Sequence, residues 1–247
     1  MSVAEKDGTV KKSGKGFFAS TAILMTLIVV LSFPLTYYLP VINASRQFDI
    51  LHHAHGLAFF AWFGLYVWQT QLVFKGKLAR HREIGLSGLV LTGAMLPLGY
   101  WMAQRAAEVR AANDLPRPYE FSWYNFADMG LFTGFMIAAV VLVTRHKEWH
   151  RRLVYTAALS LMAPAATRWT LKLTYVDPFV LDILVYFVVY PFLIALVFHD
   201  RKHLGKVHPA TLASFAVLLP VHLTGAWIAR SDWWNEIAPW LLGPPSI

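Results

Sequence analysis

Long, uninterrupted apolar runs limit how this chain can fold more than any other feature of its sequence. A helix that crosses a hydrocarbon layer about 30 Å thick needs roughly 20 consecutive apolar residues, whereas a helix in a soluble core does not. Inside the layer every backbone polar group must be hydrogen-bonded within its own segment, so such runs predict α-helices. They predict an all-α integral membrane protein, a bundle of seven transmembrane helices at 17–40, 50–74, 84–103, 122–144, 152–175, 178–198 and 209–229.

The composition leaves little room for a soluble domain. Hydrophobic residues make up 57% of the 247 residues and charged residues 15%, against about 25% charged residues in a typical soluble domain. We expect a disordered cytoplasmic tail at 1–16, the seven-helix domain at 17–229 and an outer interfacial segment at 230–247. The last segment is rich in tryptophan, which favours the membrane surface. Because the chain has no cysteine, disulfides and thiolate metal sites are excluded.

Basic residues are divided unequally between the two sides of the predicted bundle. The N-terminal tail and the loops at 75–82, 145–152 and 199–206 carry 15 of the 22 Lys and Arg residues, and the opposite side carries five. Short basic loops stay in the cytoplasm, so this asymmetry predicts a cytoplasmic N-terminus and an outer C-terminus. It also accounts for the formal net charge of +8 without nucleic acid as a partner. The expected partners are membrane lipids and other membrane subunits.

The histidines fall on both sides of the predicted membrane. Two cytoplasmic pairs, His146 with His150 and His199 with His203, have the HxxxH spacing that places two imidazoles on one helical face. Membrane di-iron hydroxylases and desaturases combine such pairs with a third histidine box. The third box here would be His52–His55, which lies on the outer side, so one metal site cannot contain all three. The cytoplasmic histidines are therefore interpreted as headgroup or loop contacts.

Four of the predicted helices each place an ionisable group at nearly the same depth. At a rise of about 1.5 Å per residue this depth is roughly 10 Å below the outer boundary. The four groups are His55, Asp128, Arg168 and His222. Buried polar groups at such a depth are costly and normally face the bundle interior with a partner, so their coincidence predicts a site. His52 shares a helical face with His55, and Lys172 shares one with Arg168.

The leading functional prediction is a metal or haem site in the outer half of the bundle. The candidate metal ligands are His52, His55, His222 and Asp128. Imidazole suits Fe, Cu and Zn alike, so the residue types do not choose among these metals. Two histidines can instead hold a haem b, with Arg168 and Lys172 on its propionates. A redox cofactor implies electron transfer or oxidation of a lipophilic substrate, and zinc implies hydrolysis of a lipid-like substrate.

Two functions of other classes stay open at this point. The chain is also consistent with a structural or accessory subunit of a larger membrane complex, in which the polar cluster only ties helices together. A small-anion transporter is the other alternative, with Arg168 and Lys172 attracting the substrate.

Three motifs between residues 50 and 170 resemble a family of uncharacterised bacterial polytopic membrane proteins. They are His55-Gly56 at the start of an aromatic helix, Gly-Lys-Leu-Ala-Arg-His-Arg-Glu-Ile-Gly at 76–85, and His-Arg-Arg-Leu at 150–153. The resemblance implies a multi-pass protein of the bacterial inner membrane. It implies no reaction, because none is established for that family.

Overall fold

The structure, a computed structural model, describes residues 3–170, 173 and 175–244. The described residues form α-helices, one π-helical turn and no strand, which confirms the all-α prediction. The π-helical turn covers Pro34–Tyr38. The α-helices are α1 (Val3–Ser32), α2 (Leu39–Ile42), α3 (Ile50–Phe74), α4 (Leu78–Ala112), α5 (Glu120–Leu142), α6 (Lys147–Ser160), α7 (Met162–Thr170), α8 (Pro178–Leu184), α9 (Tyr186–Leu204), α10 (Pro209–Arg230) and α11 (Asp232–Leu242).

Six helical segments among the described residues are long and apolar enough to cross a membrane. They are Gly16–Ile42, Ile50–Phe74, Leu78–Ala112, Glu120–Leu142, Pro178–Leu204 and Pro209–Arg230. Each overlaps one of the seven predicted runs, so the molecule has the character of a multi-pass membrane protein. The predicted run 152–175 has no counterpart among the six.

That run is divided between α6 and α7, which are separated by Leu161 alone. Pro164 has no backbone N–H, so it cannot donate to the Ser160 carbonyl as a residue inside a continuous helix would. The break places Pro164 in the first turn of α7, where a backbone N–H has no partner within the helix. Most side chains from Arg152 to Ala166 are buried against other helices. A segment surrounded by protein needs less apolar surface than one surrounded by lipid, which explains why α6 and α7 are poorer in apolar residues.

The long helices form a ring around this segment. In order around the ring, each packed on the next, they are α1, α3, α4, α5, α10 and α9. The α6–α7 segment lies inside and contacts α1, α5, α9 and α10. We call the end that contains the loops 75–77, 143–146 and 205–208 the basic end. The opposite end, which contains the loops 43–49 and 113–119 and helix α11, is called the α11 end.

A buried ion pair holds three helices together near the basic end. Arg152 of α6 and Asp200 of α9 have fully buried side chains, and Arg152 Nε donates to Asp200 Oδ1 at 3.0 Å. Asp200 Oδ2 accepts from the His208 backbone N–H at 3.0 Å and from the Thr211 hydroxyl at 2.6 Å. The charge pattern placed Arg152 in the basic loop 145–152, at the start of a predicted span, and the structure buries it with Asp200 and Glu148 as carboxylate partners.

Helix α11 folds back over α4 and α5 rather than extending away from the bundle. Trp234 and Ala238 of α11 pack with Ala103, Ala107 and Tyr119 in a second hydrophobic cluster. The hydroxyl of Tyr119 donates to the Gly243 carbonyl at 2.8 Å and fixes the end of the helix. The location of this segment at a membrane surface, and the disorder expected at 1–16, stay predictions.

Candidate functional site

A cavity of about 240 Å³ lies between the α6–α7 segment and helices α3, α4 and α5, in the half of the bundle nearer the α11 end. Its polar wall residues are close to that end: His55, Tyr124, Asn125, Asp128, Thr167, Arg168 and Asp182. Its deeper wall residues are apolar: Phe59, Met95, Met129, Phe132 and Leu161. The cavity therefore has a polar mouth and an apolar floor.

Arg168 is the cation of this cavity and lies in the last turn of α7. Its Nη1 donates to the Pro164 carbonyl at 2.8 Å, and its guanidinium carbon lies 3.9 Å from the centroid of the Phe33 ring. No carboxylate among the described residues forms an ion pair with it. The described part of α7 ends at Thr170.

His55 and Asp128 line the same cavity on α3 and α5. The Nδ1 atom of His55 is buried without a hydrogen-bond partner in the described part of the chain, and its ring lies 6.2 Å from the Phe59 ring. Asp128 likewise has no hydrogen bond or ion pair within the described residues. Three groups predicted to share one depth, His55, Asp128 and Arg168, therefore do meet at one site.

A row of ion pairs lies beside the cavity and includes its wall residue Asp182, and sequence reasoning missed it. Arg230 of α10 contacts Asp182 Oδ2 at 2.7 Å and Glu120 Oε1 at 3.1 Å. Arg110 of α4 contacts Glu120 Oε2 at 3.1 Å, and the hydroxyl of Tyr124 donates to Asp182 at 2.7 Å. Asp182 therefore pairs with Arg230 and not with Arg168. No periodicity in the sequence points to such partners, because they are far apart along the chain.

His52 faces away from the cavity. Its Nδ1 lies 3.1 Å from Asp49 Oδ1, and its ring meets the Trp101 ring edge to face at 4.8 Å. Partial desolvation raises the pKa of Asp49, but hydrogen bonds from the His52 and Leu51 amides and the nearby His52 ring outweigh it and hold that pKa below its usual range. His52 is therefore a partner of the loop before α3.

His222 is buried behind the cavity wall. Only 3% of its surface is exposed, and its ring stacks on the Tyr186 ring at 4.0 Å and 11°. Tyr186 lines the cavity, so it separates His222 from the cavity. The rise along a helix fixes the depth of a residue but not the direction in which it faces. This is why four groups of similar depth do not all meet.

The four predicted ligands His52, His55, His222 and Asp128 thus do not converge on one point. Among the described residues no group of three or more His, Asp or Glu side chains is placed to hold a metal ion. A metal or haem cofactor stays a prediction, without a ligand set in the part of the chain that the structure describes. Lys172, the second predicted anion contact, lies outside the described residues.

No family model, no curated protein and no solved structure matches this chain. The resemblance to a bacterial membrane family therefore stays a prediction, and the functional proposal depends on the cavity.

Proposed function

We propose that the protein is a bacterial inner-membrane protein that binds a small amphipathic anion in the cavity near its α11 end. The observation that carries this proposal is Arg168, a cation on the cavity wall without a carboxylate partner among the described residues. A charge inside a helix bundle normally has a counter-ion, and an anionic ligand would supply it.

The guanidinium of Arg168 is suited to a carboxylate or phosphate head. It has five N–H donors in a planar fork that matches the oxygens of such groups. Only one protein acceptor, the Pro164 carbonyl, is engaged among the described residues. The Phe33 ring holds the guanidinium by its face and leaves the N–H edge for a ligand. Charge-assisted bonds of this kind are stronger than bonds between neutral groups.

The floor of the cavity is suited to a short apolar body. Two methionines, Met95 and Met129, and two phenylalanines, Phe59 and Phe132, line it. Methionine side chains are flexible and adapt to ligands of different shape. The cavity volume of about 240 Å³ is below the range of about 300–1,000 Å³ that is usual for drug-sized ligands. A short alkyl chain or a single ring is therefore favoured over a full lipid.

Replacing Arg168 by glutamine is expected to weaken the binding of octanoate about tenfold to a hundredfold. The reason is that hydrogen bonds to a charged group contribute about 1.5–3 kcal/mol. Binding is measured by titration calorimetry on protein in lipid nanodiscs, with empty nanodiscs as the blank and 1-octanol as the uncharged probe. The wild-type protein is expected to bind octanoate more tightly than 1-octanol.

Arg46→Gln is the matched control, since Arg46 also lies over a phenylalanine ring, 5.0 Å from the centroid of Phe48, but is exposed. This variant is expected to bind octanoate like the wild type.

A second variant, Gly99→Val, tests the cavity without changing its charge. A Cβ at position 99 would overlap the Met129 side chain, and both residues line the cavity, so we expect the cavity to change shape and binding to weaken. Equal affinity for the two probes, unchanged in Arg168→Gln, would contradict the proposal.

The proposal also includes a seventh crossing by the α6–α7 segment, with the N-terminus in the cytoplasm. Helices α6 and α7 have 14 and 9 residues with Leu161 between them, which gives a length of about 36 Å at the usual helical rise. This length is sufficient to cross a hydrocarbon layer of about 30 Å. The segment runs from the basic end to the α11 end, and the basic loops favour a cytoplasmic basic end.

Because the chain has no cysteine, single introduced cysteines report topology without background. We expect Tyr175→Cys to react with a membrane-impermeant maleimide in intact spheroplasts, and Thr144→Cys to react only after permeabilisation. Tyr175 is 83% exposed, and both positions flank the α6–α7 segment. Labelling of both cysteines from the same side would show six crossings instead of seven.

A further inference from the structure

The cavity that contains Arg168 also contains a carboxyl group without a cation. Asp128 of α5 lines its wall and has no hydrogen bond or ion pair within the described residues. A second carboxyl of the wall, that of Asp182, is neutralised by Arg230 at 2.7 Å. A buried carboxylate is costly unless a cation or hydrogen-bond donors compensate its charge. Asp128 therefore offers a place for a positive group of a ligand.

Arg168 and Asp128 lie on different parts of the cavity wall. Arg168 interacts electrostatically with His55 on α3 and with Tyr38 in the π-helical turn after α1. Asp128 interacts with Tyr186 on α9. Within the described residues neither of the two groups acts on the other. The cavity thus has a positive part beside α1, α3 and α7 and a negative part beside α5 and α9.

The negative part of the cavity is suited to an ammonium group. Asn125 lies one turn before Asp128 on α5 and also lines the cavity, so its amide oxygen is a further acceptor. The rings of Phe121, Tyr124 and Tyr186 line the cavity as well. Aromatic faces attract cations, and carboxylate and amide oxygens accept the N–H groups of an ammonium ion.

We propose that the ligand of this cavity is a zwitterion, whose acid group binds Arg168, whose ammonium group binds Asp128, and whose middle is a short apolar segment. This inference rests on the proposed function and adds a positive group to the amphipathic anion. One such ligand would neutralise both unpaired groups, whereas a simple anion would leave Asp128 without a counter-charge. Asp128 is then the residue that sets the specificity for a zwitterion against an anion.

Pairs of ligands of equal chain length test the proposal, each pair containing a straight-chain alkanoate and its ω-amino derivative. The pairs are butanoate and 4-aminobutanoate, hexanoate and 6-aminohexanoate, and octanoate and 8-aminooctanoate. Binding is measured by titration calorimetry on protein in lipid nanodiscs near neutral pH, where both end groups are ionised. In the wild type we expect the ω-amino acid to bind about tenfold more tightly than its alkanoate at one or more of these lengths.

Asp128→Asn keeps the shape of the side chain and removes its charge, so this gain should be lost. The variant should still bind the alkanoates at least as tightly as the wild type, which also shows that it is folded. Asp232→Asn is the matched control, since it makes the same change at an exposed carboxyl in the first turn of α11, outside the cavity. This control should keep the gain.

The proposal would be overturned if no ω-amino acid bound more tightly than its alkanoate, or if the gain persisted in Asp128→Asn. A failure of the proposed function gives a different result, because the alkanoates would then bind without any dependence on Arg168. Under both proposals Arg168→Gln should weaken the two members of a pair alike, since both carry the acid group.

Discussion

Replacing Asp200 by alanine is expected to lower the free energy of unfolding by about 3 kcal/mol, the lower end of the usual cost of breaking a buried ion pair. Arg152 would stay buried with Glu148, whose side chain is 45% exposed, as its remaining carboxylate partner. The side chains of Arg152 and Asp200 are fully buried, and the Asp200 carboxylate accepts hydrogen bonds from Arg152, Thr211 and the His208 amide. The variant therefore removes the acceptor of Arg152 Nε, of the Thr211 hydroxyl and of the His208 amide, while Arg152 Nη1 keeps Glu148. Equilibrium unfolding in mixed detergent micelles with increasing SDS, followed by circular dichroism, measures the change.

Two further variants separate this buried pair from surface ion pairs. Glu83→Ala removes an exposed partner of Arg80, 3.4 Å away, and should cost at most about 1 kcal/mol. The double variant Arg152→Met/Asp200→Leu removes both charges together. It should be more stable than Asp200→Ala, because replacing both partners of a buried pair by apolar groups is often neutral or stabilising. A double variant less stable than Asp200→Ala would show that the pair itself, not the unpaired charge, sets the effect.

The basic end shows what charge patterns can and cannot predict. The spacing of Lys and Arg assigned residues 145–152 to one loop, and Arg152 does lie near that end of the bundle. Its burial could not be predicted, because the Asp200 partner is 48 positions away in sequence and no local pattern joins the two. A rule that counts charges treats a buried arginine and an exposed one alike.

The predicted helices show the same limit. Six apolar runs predicted six long helices, since each of these helices exposes apolar side chains on the outside of the bundle. The run at 152–175 is broken at Leu161 by Pro164, and its small side chains, such as Ala157 and Ala158, reflect packing inside the ring. Hydropathy describes the contact of a helix with lipid, so it describes an enclosed segment less well.

The candidate site was predicted in part. Counting residues from the helix ends placed His55, Asp128 and Arg168 at one level, and all three line the cavity. The same count included His222, but the rotation of α10 places that ring behind Tyr186. His52 is directed at Asp49 and Trp101 by the turn before α3. Helical rise follows from the sequence alone, whereas the direction of each face depends on how the helices pack.

Replacing Trp234 by alanine is expected to lower the free energy of unfolding by about 3–5 kcal/mol, the usual cost of truncating a buried tryptophan. Trp234 is 4% exposed, and its Nε1 donates to the Tyr119 carbonyl at 3.1 Å. Its ring also packs against Trp123 at a centroid distance of 5.1 Å. The variant would therefore weaken the docking of α11 on α4 and α5, while the hydrogen bond from the Tyr119 hydroxyl to the Gly243 carbonyl remains. The same unfolding measurement in mixed micelles gives the change in stability.

Trp240 on the same helix is the control, since it is 90% exposed and Trp240→Ala should leave the stability in micelles nearly unchanged. Comparable losses in the two variants would mean that α11 does not dock through Trp234.

Octanoate binding by Trp234→Ala adds a second result. Trp123 packs on Trp234 and lies near Gly225, beside the cavity residue Tyr186, so weaker binding would show that α11 supports the cavity wall. Unchanged binding in the folded variant would limit α11 to stabilising the bundle, because the cavity itself contains no residue of that helix.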